Sequence, residues 1–257
     1  MILLEARGLT RRYKLPRTKL LGAAPVLTAA DKISFEVHAG QTLGVVGESG
    51  SGKSTLARMV MAFETPDEGT VLFDGQDIHK LKAPALRQMR PDFQMIFQDP
   101  FSSLDPRRKV GWSIAEPLRA MGVTAPASVV QAFEQVGLHA GDADKYPHEF
   151  SGGQRQRIAI ARAIITHPKL LIADEAVSAL DVSVQAQILN LLMDLQDALG
   201  LGILFISHDL AVVASVCDTL LVMRQGKALE YGAASDILNT PSHAYTQSLL
   251  TAAGDKV

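Results

Sequence analysis

The 257-residue chain is short of four things: it has one cysteine, Cys217, only 5% aromatic residues, almost no net charge (−2), and no long apolar run. Each shortage excludes something. A single cysteine closes no internal disulfide and builds no multi-cysteine metal site, so a reducing compartment is expected, with Cys217 as a small core residue. The near-balance of 25 basic and 27 acidic residues provides no sequence-wide basic field, so no nucleic-acid partner is expected. Apolar runs such as 202–206 and 219–223 reach about five residues against the roughly 20 that a membrane helix needs. Glu5, Arg7, Arg11, Arg12 and Lys14 interrupt the first stretch, so no secretion signal is expected there and a role at a membrane would need another chain to cross it.

What is present is material for a large core. Apolar residues make up 47% of the chain and charged ones 20%, which fits one large domain or two interlocked subdomains. Ile33, Phe35 and Val37 alternate with polar neighbours, the period of a half-buried strand. Leu43–Val46 is a short apolar run before a Gly/Ser-rich loop, and Leu56, Met59, Val60 and Phe63 then share one face of a helix over 55–63. Further strands are expected at 69–74 and 93–97. Helical periodicity runs from Trp112 to Ile165, with Val130, Phe133 and Val136 on one stripe and Ile158, Ala161 and Ile165 on another. Leu170–Ala173 is a bare apolar run suited to a strand covered on both faces, and Ile188, Leu192, Leu195 and Leu199 mark the next helix before a strand at 203–206. Strands alternating with helices predict a mostly parallel α/β sheet. Gln225-Gly226 suggests a hairpin turn, and a short helix is expected from Ser235 to Pro241.

Gly47-Glu48-Ser49-Gly50-Ser51-Gly52-Lys53-Ser54 fits the phosphate-loop pattern, placed after a buried strand and opening a helix as the chemistry requires. Glycines let backbone N–H groups curl around phosphate oxygens, the helix N-terminus adds positive potential, Lys53 supplies a cation and Ser54 a hydroxyl for Mg²⁺. Asp174 and Glu175 end the apolar run 170–173, where one carboxylate could face the metal and the other polarise an attacking water. Hydrolysis, and not nucleotide binding alone, follows from Glu175. Ser151-Gly152-Gly153-Gln154 ahead of a helix is by itself also a plain N-cap and turn, and His208 by itself also an ordinary surface residue. Their order along the chain with Gln98, the Asp-Glu pair and Ser178-Ala179-Leu180-Asp181 is what adds meaning.

On these ordered motifs the chain resembles the ATP-binding subunit of ABC transporters from about Leu3 to Leu250. The resemblance implies an α/β P-loop NTPase cassette with a RecA-like core, an antiparallel β subdomain and an inserted α-helical subdomain. Its boundaries would be 1–98 with 157–230 for the core and β subdomain, 99–156 for the helical signature subdomain, and 231–257 for a tail. Carried over residue by residue, it makes Tyr13 the adenine-stacking aromatic, an ordinary edge-strand aromatic being the alternative, and Gly47 to Thr55 the phosphate cradle. Ser54, Gln98 and Asp174 would serve Mg²⁺, Gln98 would also sense the γ-phosphate, and Glu175 and His208 would act in catalysis. Ser151 to Gln154 would face the partner subunit's nucleotide, and Asp181 would communicate across the dimer. Phe150 replaces the more usual leucine, keeping an apolar anchor, and Ala176 stands where many relatives carry proline, which alters loop stiffness.

Met95 to Pro100, Ser103 to Arg107 and the tail Pro241 to Leu250 are similar to the dipeptide, oligopeptide and nickel importer branch, with Ala244 in place of a proline. One cysteine excludes the iron–sulfur cluster some of that branch carry. The implied activity is ATP hydrolysis powering uptake of peptides, with nickel or a metal chelate as the alternative cargo, to which Glu175-Ala176-Val177-Ser178 points weakly. Implied partners are a second, different ATPase subunit, two permeases docking on 99–140 and an extracytoplasmic binding protein, on the cytoplasmic face of the plasma membrane. Rival readings are a soluble ABC ATPase remodelling ribosome or DNA, a small-molecule kinase, and a non-catalytic regulatory cassette.

Overall fold

The computed structural model describes residues 1–16, 24–99 and 104–254. Pro100 and Ser103 of the branch motifs and most of the spacer before Pro25 lie outside the described residues. In chain order the strands are β1 (Ile2–Lys14), β2 (Val26–His38), β3 (Thr42–Val46), β4 (Glu68–Phe73), β5 (Gln76–Asp77), β6 (Phe93–Ile96), β7 (Leu170–Asp174), β8 (Gly202–Ser207), β9 (Thr219–Arg224) and β10 (Lys227–Ala233). The helices are α1 (Lys53–Val60), α2 (Ala83–Met89), α3 (Val110–Ile114), α4 (Glu116–Ala120), α5 (Pro126–Gln135), α6 (Gly152–Ile164), α7 (Val182–Leu199), α8 (Leu210–Val216), α9 (Ala234–Asn239) and α10 (Ala244–Gly254). They fall into two compact units, Met1–Lys82 with Leu204–Val257, and Ala83–Ile203.

In the first unit β1 lies between β2 and β4, antiparallel to both, and β5 pairs with β4. β1 was not expected from sequence, because Glu5, Arg7 and Arg11 give it a charged outer face and its alternation slips at Leu3-Leu4 and Leu9-Thr10. Leu3, Leu4, Ala6 and Leu9 nevertheless go into the core, and bulges absorb the misfit. A second set of neighbours runs β10-β9-β3-β8. β3 pairs parallel with β9, and the Gln225-Gly226 turn returns the chain antiparallel into β10. All five residues of β3 and all six of β8 are buried, as expected of strands covered on both faces. The helix after β3 is shorter than its apolar spacing suggests. Ala62 takes a left-handed φ of 50° and ends the run, so Phe63 stands outside α1 and is 50% exposed instead of joining Leu56, Met59 and Val60 in the core.

In the second unit β6 and β7 pair parallel, register Phe93↔Leu170 to Ile96↔Ala173. The long helical stretch expected over 112–165 is broken into α3, α4, α5, two 3₁₀ turns and α6. Pro117, Pro126 and Pro147 start new turns, since proline suits a first helical turn and not an interior, and Gly122 and Gly137 take left-handed φ of 75° and 71°. Phe133 and Val136 are buried as the stripe predicts, but Val130 is exposed and Ala132 takes the inner place. Ile158 and Ala161 face inward from α6, as does Ile165 just past its end, and Ile188, Leu192 and Leu195 from α7, while Leu199 at its end is only half-buried. α7 starts on an Asp181 cap and stops at Gly200, whose φ is 67°.

Candidate functional site

The phosphate loop of the first unit is shaped by backbone that side chains could not share. A β-carbon on Gly47 would fall 2.1 Å from the Met223 carbonyl oxygen, and one on Gly52 2.0 Å from that of Ala29. Both glycines also hold left-handed φ, 155° and 108°, so the loop passes close against β9 and β2 only because these positions are bare. Glu48 and Ser49 lie between them, with Gly50 at φ 79°. Gly226 N–H donates to Ser51 O, and Ser51 N–H to Glu48 O, fixing the far side of the turn.

Lys53 opens α1 and is 4% exposed, an unusual place for an ammonium. Its Nζ donates to Gly47 O at 2.7 Å and Glu48 O at 3.0 Å, so the loop's carbonyls hold the charge over its own cradle. Ser51 Oγ is buried and makes no hydrogen bond among the described residues. A buried cation, an unmatched hydroxyl and a helix N-terminus in a bare-backbone loop fit a phosphate chain. Ser54 follows on the exposed side of α1 and Thr55 beside it.

Two further residues named from sequence lie in this unit. Tyr13, near the end of β1, donates its hydroxyl to Glu64 Oε2 at 2.5 Å and carries the Arg11 guanidinium 5.1 Å from its ring centroid. His208 is exposed between β8 and α8, in a turn held on both sides: Asp209 N–H donates to Ser207 Oγ, and the Asp209 carboxylate caps α8 by accepting from Ala211 N–H. Tyr245, read from sequence only as part of the tail, accepts the Glu48 N–H on its hydroxyl at 3.1 Å. No local signal links residues so far apart. Cys217, expected in the core, is half-buried, and burial pushes its thiol well above the ordinary range, which disfavours the thiolate.

In the second unit Asp174 ends β7 and Glu175 follows with a left-handed φ of 48°. A non-glycine residue there costs energy, on the order of 1 kcal/mol, that its surroundings must offset. Ala176 and Val177, each 2% exposed, anchor the turn in the core, while Ser178 donates both its N–H and its hydroxyl to Glu175 O. The turn so made projects the Glu175 side chain outward, where Gln98 Nε2 donates to its Oε2 at 2.8 Å. Residues 77 positions apart in sequence thus meet. Ser54, Gln98 and Asp174 are oxygen donors by type, the chemistry a hard divalent cation takes.

Ser151 and Gln154 form a full capping box at the start of α6: Gln154 N–H donates to Ser151 Oγ, and Ser151 N–H to Gln154 Oε1. Gly152 has room for a side chain, with a β-carbon 3.8 Å from Leu180, whereas one on Gly153 would sit 2.5 Å from Val184 Cγ1. Asp181 is exposed and caps α7, accepting from Val184 N–H at 2.9 Å and Ser183 Oγ at 2.8 Å. The Val184 amide, then the Ser183 hydroxyl, hold its carboxyl below the usual pKa.

Residues 30–178 match the family model described as ABC transporter. The chain is 49% identical over 253 residues to the di/tripeptide transport ATP-binding protein DppF of Pseudomonas aeruginosa, with 97% of this chain and 78% of that one aligned. It is 47% identical over 254 residues to the glutathione import ATP-binding protein GsiA of Pectobacterium atrosepticum. That match takes in 97% of this chain but 41% of GsiA, so the chain spans about two fifths of the length of the GsiA relatives. Among solved structures, cbiO1 from Clostridium perfringens, part of the ABC transporter complex cbiONQ, superposes with a TM-score of 0.79 at 25% identity, covering 99% of this chain and 98% of that one. The ATP-binding cassette MJ0796, in a dimeric post-hydrolysis state bound to ADP and Pi, shares the fold with a TM-score of 0.78 at 24% identity, covering 90% and 99%.

Proposed function

The chain belongs to the ABC transporter family, and from that premise we propose that it is the ATP-hydrolysing subunit of a membrane importer of short peptides. One observation carries the ATPase half: the buried Lys53 ammonium held over a loop whose Gly47 and Gly52 leave no room for side chains. The cargo class rests on similarity to the di/tripeptide and glutathione import ATP-binding proteins.

In this reading Gly47 to Thr55 bind the phosphate chain of ATP, Tyr13 stacks on adenine, and Ser54, Gln98 and Asp174 serve Mg²⁺, which when bound neutralises charge on the phosphate oxygens. The Glu175 carboxylate orients a water and receives its proton as the water oxygen attacks the γ-phosphorus and the bond to the β-phosphate oxygen breaks. Gln98, bonded to that carboxylate, positions it, and His208 contacts the γ-phosphate. Ser151 to Gln154 serve the nucleotide of a second ATPase subunit, a different chain, and Asp181 links the two.

No helix among the described residues is long and apolar enough to cross a membrane, and in the proposed system separate permeases do so. We place the chain peripherally on the cytoplasmic face, with two permeases and an extracytoplasmic binding protein completing the system. Phosphate release by the purified chain, compared with Lys53→Ala, tests the ATPase half. Uptake of a labelled dipeptide by cells lacking this chain, compared with cells expressing it, tests the importer half; unchanged uptake would reject the peptide cargo.

A further inference from the structure

We infer that Tyr245, in the C-terminal helix, is a positioning residue for the phosphate loop: its hydroxyl holds the Gly47–Glu48 peptide in the orientation that seats Lys53. The inference rests on the reading of 47–54 as the nucleotide cradle. One planar peptide unit carries both halves of the arrangement. Its N–H, from Glu48, donates to the Tyr245 hydroxyl at 3.1 Å, and its carbonyl, from Gly47, accepts from Lys53 Nζ at 2.7 Å. Rotating that peptide would break both bonds together. Gly47, being glycine, offers little resistance of its own to such a rotation, so the two hydrogen bonds set the resting state.

The surroundings show that Tyr245 is built in and not merely nearby. It is 5% exposed, and the Arg224 guanidinium covers its ring at 4.6 Å from the centroid. Arg224 follows Met223, the residue against whose carbonyl Gly47 packs, so the end of β9 and the start of α10 hold the same corner of the loop. The helix is itself tied down. Ser242 donates its N–H and its hydroxyl to Glu230 on β10, and Tyr245 N–H donates to His243 Nδ1. Burial pushes the phenol's pKa up, so a neutral hydroxyl is present at physiological pH.

Loss of this hydroxyl should weaken nucleotide binding without touching the hydrolytic step, because Glu175 is held by a partner of its own, Gln98. Tyr231, at 47% exposure against 5% for Tyr245, serves as the control for loss of a tyrosine hydroxyl elsewhere in the chain. Tyr231 on β10 also accepts a backbone N–H, that of Glu36, at the same 3.1 Å, but away from the loop.

The test uses the full-length purified chain as wild type, Tyr245→Phe, Tyr231→Phe and Lys53→Ala, titrated with a fluorescent ATP analogue and assayed for phosphate release. Tyr245→Phe should raise the nucleotide Kd and the KM for ATP about 3- to 10-fold, the usual net worth of one buried hydrogen bond, with kcat within twofold. Tyr231→Phe should leave both unchanged, and the two tyrosine variants should melt within a few degrees of each other. A Tyr245→Phe shift no larger than that of Tyr231→Phe, or a loss confined to kcat, overturns the inference. If Lys53→Ala binds as well as wild type, the reading of the loop fails instead. Amide exchange over 244–252 gives an independent readout, since nucleotide must protect the helix that helps to bind it. No added protection on saturation with ATP would also overturn it.

Discussion

The phosphate loop and the Glu175 turn both leave the end of a buried apolar strand, but they hold their chemistry in opposite ways. In the loop the cation is buried, the geometry is set by Gly47 and Gly52, where a β-carbon would run into backbone carbonyls, and Lys53 donates to backbone carbonyls six and five positions away. In the turn the carboxylate is partly exposed, a non-glycine residue tolerates left-handed backbone, and its partner Gln98 comes from a distant segment. A binding site can be fixed once and left, so burial and backbone suit it. A group that must meet a water and give up a proton needs access, and a side-chain partner can release it.

That contrast fails most visibly if Lys53→Ala still binds ATP. Removing the ammonium leaves two loop carbonyls without their donor and takes away a buried cation. Affinity should therefore fall by at least ~100-fold, the scale expected when charge-assisted hydrogen bonds are deleted from a desolvated site. An ATP titration measures it. Glu175→Gln breaks the other side: the amide still accepts from Gln98 but takes no proton, so binding should survive while kcat drops by about 10² to 10⁴. Near-wild-type single-turnover phosphate release would remove Glu175 from that role.

The signature segment sharpens the same distinction. A β-carbon on Gly153 would meet a methyl of Val184, so Gly153→Asp would force that side chain of α7 to shift, whereas Gly152 has room. Gly152→Asp is therefore the cleaner probe. It should preserve nucleotide binding within a few-fold and the melting midpoint within a few degrees, yet lower steady-state ATPase by at least tenfold if Gly152 serves a second subunit's nucleotide. An ATPase rate within twofold of wild type would reject that role.

Legibility followed the same divide. Gly47 to Ser54 are contiguous, so the loop could be read directly, and β3, β7 and β8 showed themselves as bare apolar runs. Glu175 and Gln98 could be named by type but their hydrogen bond could not, because it joins residues separated by most of the helical segment. Tyr245 was legible only as part of the tail, and its contact with the loop was not, because its partner Glu48 is 197 positions away. β1 was hidden by charged residues on its outer face, and the single helical stripe over 112–165 concealed breaks that Pro117, Gly122, Pro126 and Pro147 impose. Phe63 was misplaced because periodicity describes an ideal helix and takes no account of where it ends, and Val130 because the buried face of α5 runs through Ala132 and Phe133.

Asp181 offers the smallest effect and the finest discrimination, since it has one role visible within this chain and another proposed beyond it. Its carboxylate caps α7 through Val184 N–H and Ser183 Oγ. Asp181→Ala removes the cap and should lower the melting midpoint by on the order of a few degrees. Asp181→Asn keeps an oxygen that can accept from the same amide, and asparagine caps about as well as aspartate, so its midpoint should stay close to wild type. The pH dependence separates charge from cap. Because the folded-state pKa is lowered, the charge contributes stability above the unfolded pKa, and that contribution is lost as pH falls through the folded value. Any small midpoint difference that the charge produces between wild type and Asp181→Asn near neutrality should therefore vanish in acid, below the ordinary aspartate range. If Asp181→Asn matches wild type in stability at neutral pH but loses ATPase, the charge acts beyond the helix it caps. If both variants lose ATPase only in proportion to their loss of stability, Asp181 is a cap and the link between subunits belongs to other residues.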